Sequence, residues 1–235
     1  MFTRDAVIPI HTGHVTFPAW HPLASQQGPV FSFAIRTAGG VVLFETGVGF
    51  GNRFIDKHYQ PVHRALFDVL REHGIHRDDV QAIVNSHLHF DHCGGNPLFP
   101  GVPIHVQSAE LEAARQPAYT ALEWVDFDGA LYEEHEGDYS ISDGIDVMAT
   151  KGHAVGHQSM SIKTTAGRLT LAGQAIYSRE ECAYIDENGK LPPDASEPSQ
   201  EYLESALRLL RMQPLEVHFS HDSSVWRGTP RSRVR

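Results

Sequence analysis

The sequence predicts an α/β fold in four layers, helix, sheet, sheet, helix (αβ/βα). Three observations predict it. Residues 1–50 carry short apolar and alternating runs that read as strands. The order strands, helix, strand, polar motif then occurs once in each half of the chain, which suggests two βα-rich halves packed against each other. Clusters of polar residues also stand where apolar runs end, the place where sites form in layered α/β proteins.

The 235 residues suffice for one large domain or two small ones, and no linker or low-complexity segment divides them, so residues 1–235 read as a single unit. A composition of 41% hydrophobic and 20% charged residues is ordinary for a soluble globular protein. A net charge of −10 argues against nucleic acid as a partner, because phosphate binding needs a basic face. The tail from Arg227 to Arg235 is basic but short, and reads as a frayed terminus. No apolar run approaches the roughly 18 residues of a membrane helix, and the start, Met1-Phe2-Thr3-Arg4-Asp5, has no secretory apolar segment. Cys93 and Cys182 make no disulfide framework. A cytoplasmic location is therefore expected. The unusual total is 16 histidines.

Taken in order, Val7-Ile8-Pro9-Ile10 reads as a short strand, followed by a long loop from His11 to Pro29. Phe31 to Arg36 alternates as a half-buried strand, and Val41-Val42-Leu43-Phe44 is a continuous apolar run, hence a buried one. It ends in Glu45-Thr46-Gly47 and a glycine-containing loop to Gln60. Val62, Leu66, Val69 and Leu70 share one face of a helix expected over 62–73 and stopped by Gly74. Val80 to Val84 is the next strand, Val102 to Val106 another, and Ser108 is expected to cap a helix through Arg115. Residues 116–137 give no clear element. Asp143-Gly144 joins two strands as a hairpin turn, and Met160–Ile162 and Arg168–Ala172 form a second hairpin. Glu201 to Met212 is an amphipathic helix with Leu203, Ala206, Leu207 and Leu210 facing inward, leading to a last strand at Val217.

The chemistry concentrates in Ser86-His87-Leu88-His89-Phe90-Asp91-His92-Cys93-Gly94-Gly95. It follows a strand and precedes a turn. Residues i and i+2 of an extended segment point the same way, so His87 and His89 can grip one ion. Asp91 and His92 follow as the chain turns. Imidazole and carboxylate are the usual ligands of zinc and other divalent first-row metals. Glu45, His153, Gln174 and His221 also stand at strand ends. Phe17, Trp20, Phe50 and Phe54 lie in loops that could line an apolar pocket or simply pack, and an exposed aromatic loop could join a homodimer interface.

Four runs carry a resemblance: His87-x-His89-x-Asp91-His92-Cys93-Gly94-Gly95-Asn96, Gly152-His153-Ala154-Val155-Gly156-His157-Gln158-Ser159, Leu171-Ala172-Gly173-Gln174-Ala175-Ile176-Tyr177, and Phe219-Ser220-His221-Asp222. On these the chain resembles the metallo-β-lactamase superfamily, and within it the N-acyl homoserine lactonases. The resemblance implies the four-layer sandwich of the metallo-β-lactamase type. It implies one zinc held by His87, His89 and His153, and a second by Asp91, His92 and His221. It implies a hydrolase in which metal-bound hydroxide opens the ring of an N-acyl homoserine lactone or another small lactone. Tyr177 would hydrogen-bond the carbonyl or ring oxygen, Asp91 would move the proton to the leaving alkoxide, and Glu45 would orient a ligand histidine from behind.

Two positions depart from the family pattern. Glu45 stands where an aspartate is usual. Gln174 stands where an aspartate normally bridges the two metals; a neutral amide has one acceptor oxygen, so Gln174 is at most a weak ligand and the number of ions, one or two, stays open. Two other readings remain beside the lactonase: a thioesterase of the glyoxalase II type, and a metal-binding sensor with little turnover.

Overall fold

The computed structural model describes residues 1–21, 23–195 and 197–228; the arginines of the basic tail beyond Arg227 lie outside them. One sheet holds seven strands in the order β4-β1-β2-β3-β5-β6-β7. These are β1 (Val7–Thr16), β2 (Gln27–Thr37), β3 (Gly40–Phe44), β4 (Val62–His63), β5 (Val80–Val84), β6 (Pro103–Gln107) and β7 (Leu131–His135). The other holds six, in the order β13-β12-β11-β10-β9-β8: β8 (Tyr139–Ser142), β9 (Ile145–Ala149), β10 (Gln158–Lys163), β11 (Arg168–Leu171), β12 (Glu216–His218) and β13 (Trp226–Arg227). The helices are α1 (Arg53–His58), α2 (Leu66–Glu72), α3 (Phe90–Cys93), α4 (Ser108–Ala114), α5 (Arg179–Asn188) and α6 (Gln200–Arg211).

Strand periodicity builds the layers. In β3, Val41 and Leu43 face outward onto Leu66, Val69 and Leu70 of α2. Val42 and Phe44 face the opposite way, onto Val147, Met160 and Leu171 of the second sheet. β5 divides likewise, Ile83 outward and Ala82 and Val84 between the sheets. Strands covered on both faces need continuous apolar runs, which is why Val41–Phe44 shows no alternation in sequence. On the far side, Cys182 and Ile185 of α5 and Ala206 and Leu209 of α6 cover Met148, Val217 and Phe219. The order is helix, sheet, sheet, helix, the α/β arrangement expected. No helix among the described residues is long and apolar enough to cross a membrane.

Several boundaries differ from expectation. The first strand does not stop at Ile10: β1 runs to Thr16 and pairs with β2 from Val7↔Ile35 to Thr16↔Gln27, with an irregularity between His11 and Gly13. Of the loop expected over 11–29, residues 11–16 and 27–29 belong to this ladder, disguised by histidines and threonines, and the connection lies between Thr16 and Gln27. Val62 and His63 pair with β1 as β4, so the helix begins only at Leu66. The loop of 47–60 contains α1, capped by Asn52 Oδ1, which accepts from Phe54 and Ile55 N–H at 3.0 Å. Ser108 is the first helical residue of α4 and not its cap; Gln107 holds that place. The buried stripe of α6 centres on Tyr202, Ala206, Leu209 and Leu210, with Leu203 and Leu207 at its flank.

β3 and β5 run parallel. β9 and β11 both oppose β10 and so run the same way as each other, and β12 runs with β11. The loops after β5 and before β10 meet where Gln158 N–H donates to the Ser86 carbonyl at 2.7 Å. The carboxyl ends of these strands therefore converge on one edge of the sandwich.

Candidate metal centre

Each candidate ligand follows one of those strand ends. His87 and His89 follow β5, and the single turn of α3 swings Asp91 and His92 to the adjacent point. His153 follows β9, Gln174 follows β11 and His221 follows β12. Two nests result. In one, His89 Nδ1 lies 3.0 Å from His87 Nε2 and 3.2 Å from His153 Nε2. In the other, His221 Nε2 lies 3.2 Å from His92 Nε2 and 3.4 Å from Asp91 Oδ2. Each nest gathers three donor atoms within 4.8 Å of one another.

These spacings fit a divalent ion. Tetrahedral bonds of about 2.0–2.1 Å place neighbouring ligand atoms roughly 3.3 Å apart, close to the separations in both nests. Three of the imidazoles, His87, His89 and His221, are also in the right state. Burial, and then the surrounding histidines, push His87 far below its ordinary value and His89 to about 3. Burial likewise lowers His221 to about 4 against the raising effect of Asp91. Their nitrogens carry free lone pairs. Burial alone would raise Asp91, but His92, His221 and His89 outweigh it and hold the carboxylate charged. Burial would lower His92, but Asp91 and Glu45 reverse the direction.

The backs of four of the five imidazoles, His87, His92, His153 and His221, are held, which fixes ring and tautomer. His221 Nδ1 donates to the Pro29 carbonyl at 2.9 Å, and His153 Nδ1 faces Glu197 Oε1 at 3.2 Å. Ser86 Oγ lies 2.8 Å from His87 Nδ1. Glu45 Oε2 and His92 Nδ1 have no closer hydrogen-bond partner and face each other at 3.4 Å. Glu45 adopts a left-handed backbone (φ 69°), unusual for a residue with a side chain, while its other oxygen accepts from Ser86 N–H at 3.1 Å.

Gln174 is buried beside these nests, and its side-chain amide bears on the titration of both His92 and Tyr177. Its own N–H donates to His157 Nε2 at 2.9 Å, and His157 Nδ1 meets Thr150 Oγ1 at 2.9 Å. The preceding Gly173 (φ 61°) has no room for a Cβ, which would come within 2.7 Å of Ser86 and 2.8 Å of His157. Tyr177 stacks on His221 with centroids 5.5 Å apart, and burial raises its pKa so that the phenol keeps its proton. Among the described residues, none of the nearby carboxylates Glu180, Glu181 and Asp222 takes the place Gln174 occupies. Glu181 accepts from Tyr177 N–H and the Tyr202 hydroxyl, Asp222 from Arg179 and Ser224 N–H, and Glu180 pairs with Arg179.

Above the nests lies a cleft of about 300 Å³, walled by Phe17, His21, Tyr59, Phe90, Tyr119 and Glu197 and floored by His89, Asp91, His153, Gln174 and Tyr177. Of the four loop aromatics considered as pocket candidates, Phe17 lines this cleft. Phe50 lines a separate hollow of about 310 Å³, and Trp20 and Phe54 are exposed with rings 6.4 Å apart. His58, His63, His73 and His76 join neither nest, and His105 pairs with His135 at 3.0 Å. Both cysteines are free and buried.

Sequence reasoning missed Glu110, Glu197 and the role of His157. Glu110 is fully buried and accepts from Leu88 N–H at 2.8 Å, Gly156 N–H at 3.1 Å and the Tyr119 hydroxyl at 2.6 Å. One carboxylate thus ties the His87–His89 loop to the His153 loop. The only signal in sequence was a glutamate near a helix start, which reads equally well as surface charge.

The profile of the metallo-beta-lactamase superfamily matches residues 26–221. An N-acyl homoserine lactonase from a Bacillus species is 33% identical over 217 residues, 85% of this chain and 84% of its own. A crystal structure of a Bacillus thuringiensis AiiA mutant with N-decanoyl-L-homoserine bound at its active site superposes with a TM-score of 0.77 at 29% identity, covering 94% of this chain and 95% of that one. An N-acyl homoserine lactone hydrolase with its product N-hexanoyl-L-homoserine at the catalytic metal centre gives the same TM-score, 0.77, at 29% identity, again over 94% and 95% of the two chains.

Proposed function

The chain belongs to the metallo-beta-lactamase superfamily, and from that premise we propose that it is a metal-dependent hydrolase that opens lactone rings, N-acyl homoserine lactones first among them. The observation that carries the reading is the pair of three-donor nests beneath a cleft into which Tyr177 presents a protonated phenol. The lactonases that resemble the chain over most of its length supply the substrate class. His87, His89 and His153 would hold one ion, and Asp91, His92 and His221 a second, with Gln174 a weak donor beside them. Nitrogen-rich sets with one carboxylate suit zinc. Because each nest draws donors from both halves, the chain acts as one functional unit. Two buried free thiols accord with a reducing compartment.

A bound divalent ion would supply a Lewis acid for the ester carbonyl and a lowered pKa for attacking water. The chain does the rest. Tyr177 donates its phenolic hydrogen to the oxygen on which charge develops. Asp91, kept ionised by its histidine neighbours, takes the proton of the attacking nucleophile and returns it to the departing alkoxide, so the proton count closes within the site. Aromatic walls restrict water around the reacting ester.

The test is hydrolysis by protein stripped with chelator and reloaded with zinc, offered N-acyl homoserine lactones of several chain lengths and a glutathione thioester. Lactone opening that returns with zinc is the expected result. A metal-saturated protein that turns over no lactone, or prefers the thioester, would refute the proposal.

A further inference from the structure

His21 belongs to neither nest, yet it stands on the wall of the cleft. It sits in the turn between β1 and β2, and four contacts hold it. Its backbone N–H donates to the Pro18 carbonyl at 2.9 Å and its carbonyl accepts from Ala24 N–H at 3.0 Å. Its ring stacks on Phe17, with centroids 4.3 Å apart and planes 16° from parallel. Its Nδ1 accepts from Leu23 N–H at 3.1 Å. An acceptor at Nδ1 requires the neutral ring to carry its hydrogen on Nε2. His21 is therefore a fixed donor: ring plane set by Phe17, tautomer set by Leu23, with Nε2–H the atom left to serve whatever fills the cleft.

The other polar groups on that wall are differently placed. The Tyr119 hydroxyl donates to Glu110 at 2.6 Å. The Glu197 carboxylate faces His153 and can only accept. The Tyr59 hydroxyl has a hydrogen to give but no contact that fixes its direction beyond the Trp20 indole. Meanwhile the wall is aromatic: Phe17, Phe90, Tyr59 and Tyr119. A carbonyl or amide oxygen drawn into such surroundings loses its water and needs a donor in return.

We propose that His21 is a specificity-determining residue, whose Nε2–H binds an acceptor oxygen on the substrate outside the reacting ester, such as the carbonyl of an amide-linked acyl arm. This rests on the lactone-hydrolase reading. It assigns the preference for an amide-bearing lactone over a plain alkyl lactone to a residue outside the metal centre.

The experiment compares two lactones of equal length, one N-acylated and one with a plain alkyl arm, in wild type, His21→Phe and His21→Gln. Phenylalanine keeps the stack and removes the donor; glutamine restores an N–H at a similar reach. For His21→Phe, kcat/KM on the amide-bearing lactone should fall about three- to tenfold, chiefly through KM, with the alkyl lactone unchanged. His21→Gln should recover part of the loss. Equal losses on both lactones in both variants, or no loss on either, would overturn the role of His21. Absence of lactone turnover by zinc-loaded wild type would instead remove the hydrolase reading and this inference with it.

Discussion

Gln174 sets the charge of the centre. The two nests together contain one anion, Asp91, against the four positive charges of two divalent ions. Glu45 and Glu197 help only from behind an imidazole each. Two unit charges about 4 Å apart interact by roughly 4 kcal/mol at an effective dielectric of 20, so one added carboxylate outweighs most other single changes. Gln174→Asp is expected to tighten the second metal equivalent by about tenfold or more. Titration against a chromophoric chelator, with elemental analysis of protein purified without added metal, reads this directly. Unchanged affinities for both equivalents would show that the amide already serves as well as a carboxylate.

At the scale of elements, short strands are held by side chains far away in sequence. β12 supplies the strand end from which His221 departs, and its Glu216 is a buried acceptor. The carboxylate pairs with Arg4 near the amino terminus and with Arg227 of β13, at 3.0 Å to Arg227 Nε. Burial alone would raise Glu216, but the two arginines outweigh it and lower its pKa. A depressed folded-state value means that the stabilisation is present above the unfolded value near 4.5 and is lost as pH falls through the lower folded value. Glu216→Gln should therefore unfold at a lower temperature than wild type at pH 7, and the gap should close as pH drops below about 4. A gap independent of pH would mean that packing, not charge, is what Glu216 provides. The register of these elements was partly legible. The Asp143-Gly144 hairpin lies where its turn residues place it, and the two runs over 160–172 pair as a hairpin as expected. β1 was not, because Thr12 and His14 look polar in sequence and only the pairing with β2 shows that Thr12 is buried.

For the whole molecule, the candidate metal centre would also act as a clasp. His87, His89, Asp91 and His92 hang from the seven-stranded sheet, while His153 and His221 hang from the six-stranded one. Each ion would close one link between the two halves. Ligand held only by the folded state stabilises by about 2.7 kcal/mol at a hundredfold excess over Kd. Chelator treatment should lower Tm by several degrees, and stoichiometric zinc should restore it. A melting temperature indifferent to both would mean that the apolar layer around Phe44, Val147 and Met160 alone fixes the sheets against each other.

The α/β class and the local half of the candidate centre were legible in the order of residues alone. His87, His89, Asp91 and His92 lie within one strand end and one turn, so their spacing alone shows that they converge. Tertiary structure decided the remainder. It brings His153 to His89 across 64 residues and His221 to His92 across 129. It sets Glu110 between two ligand loops, Glu197 behind His153, and His21 on the cleft wall. A side chain's type and neighbours reveal what it can bind within a few residues, whereas a supporting contact depends on which strand ends the sheets bring to one edge, and no local pattern records that.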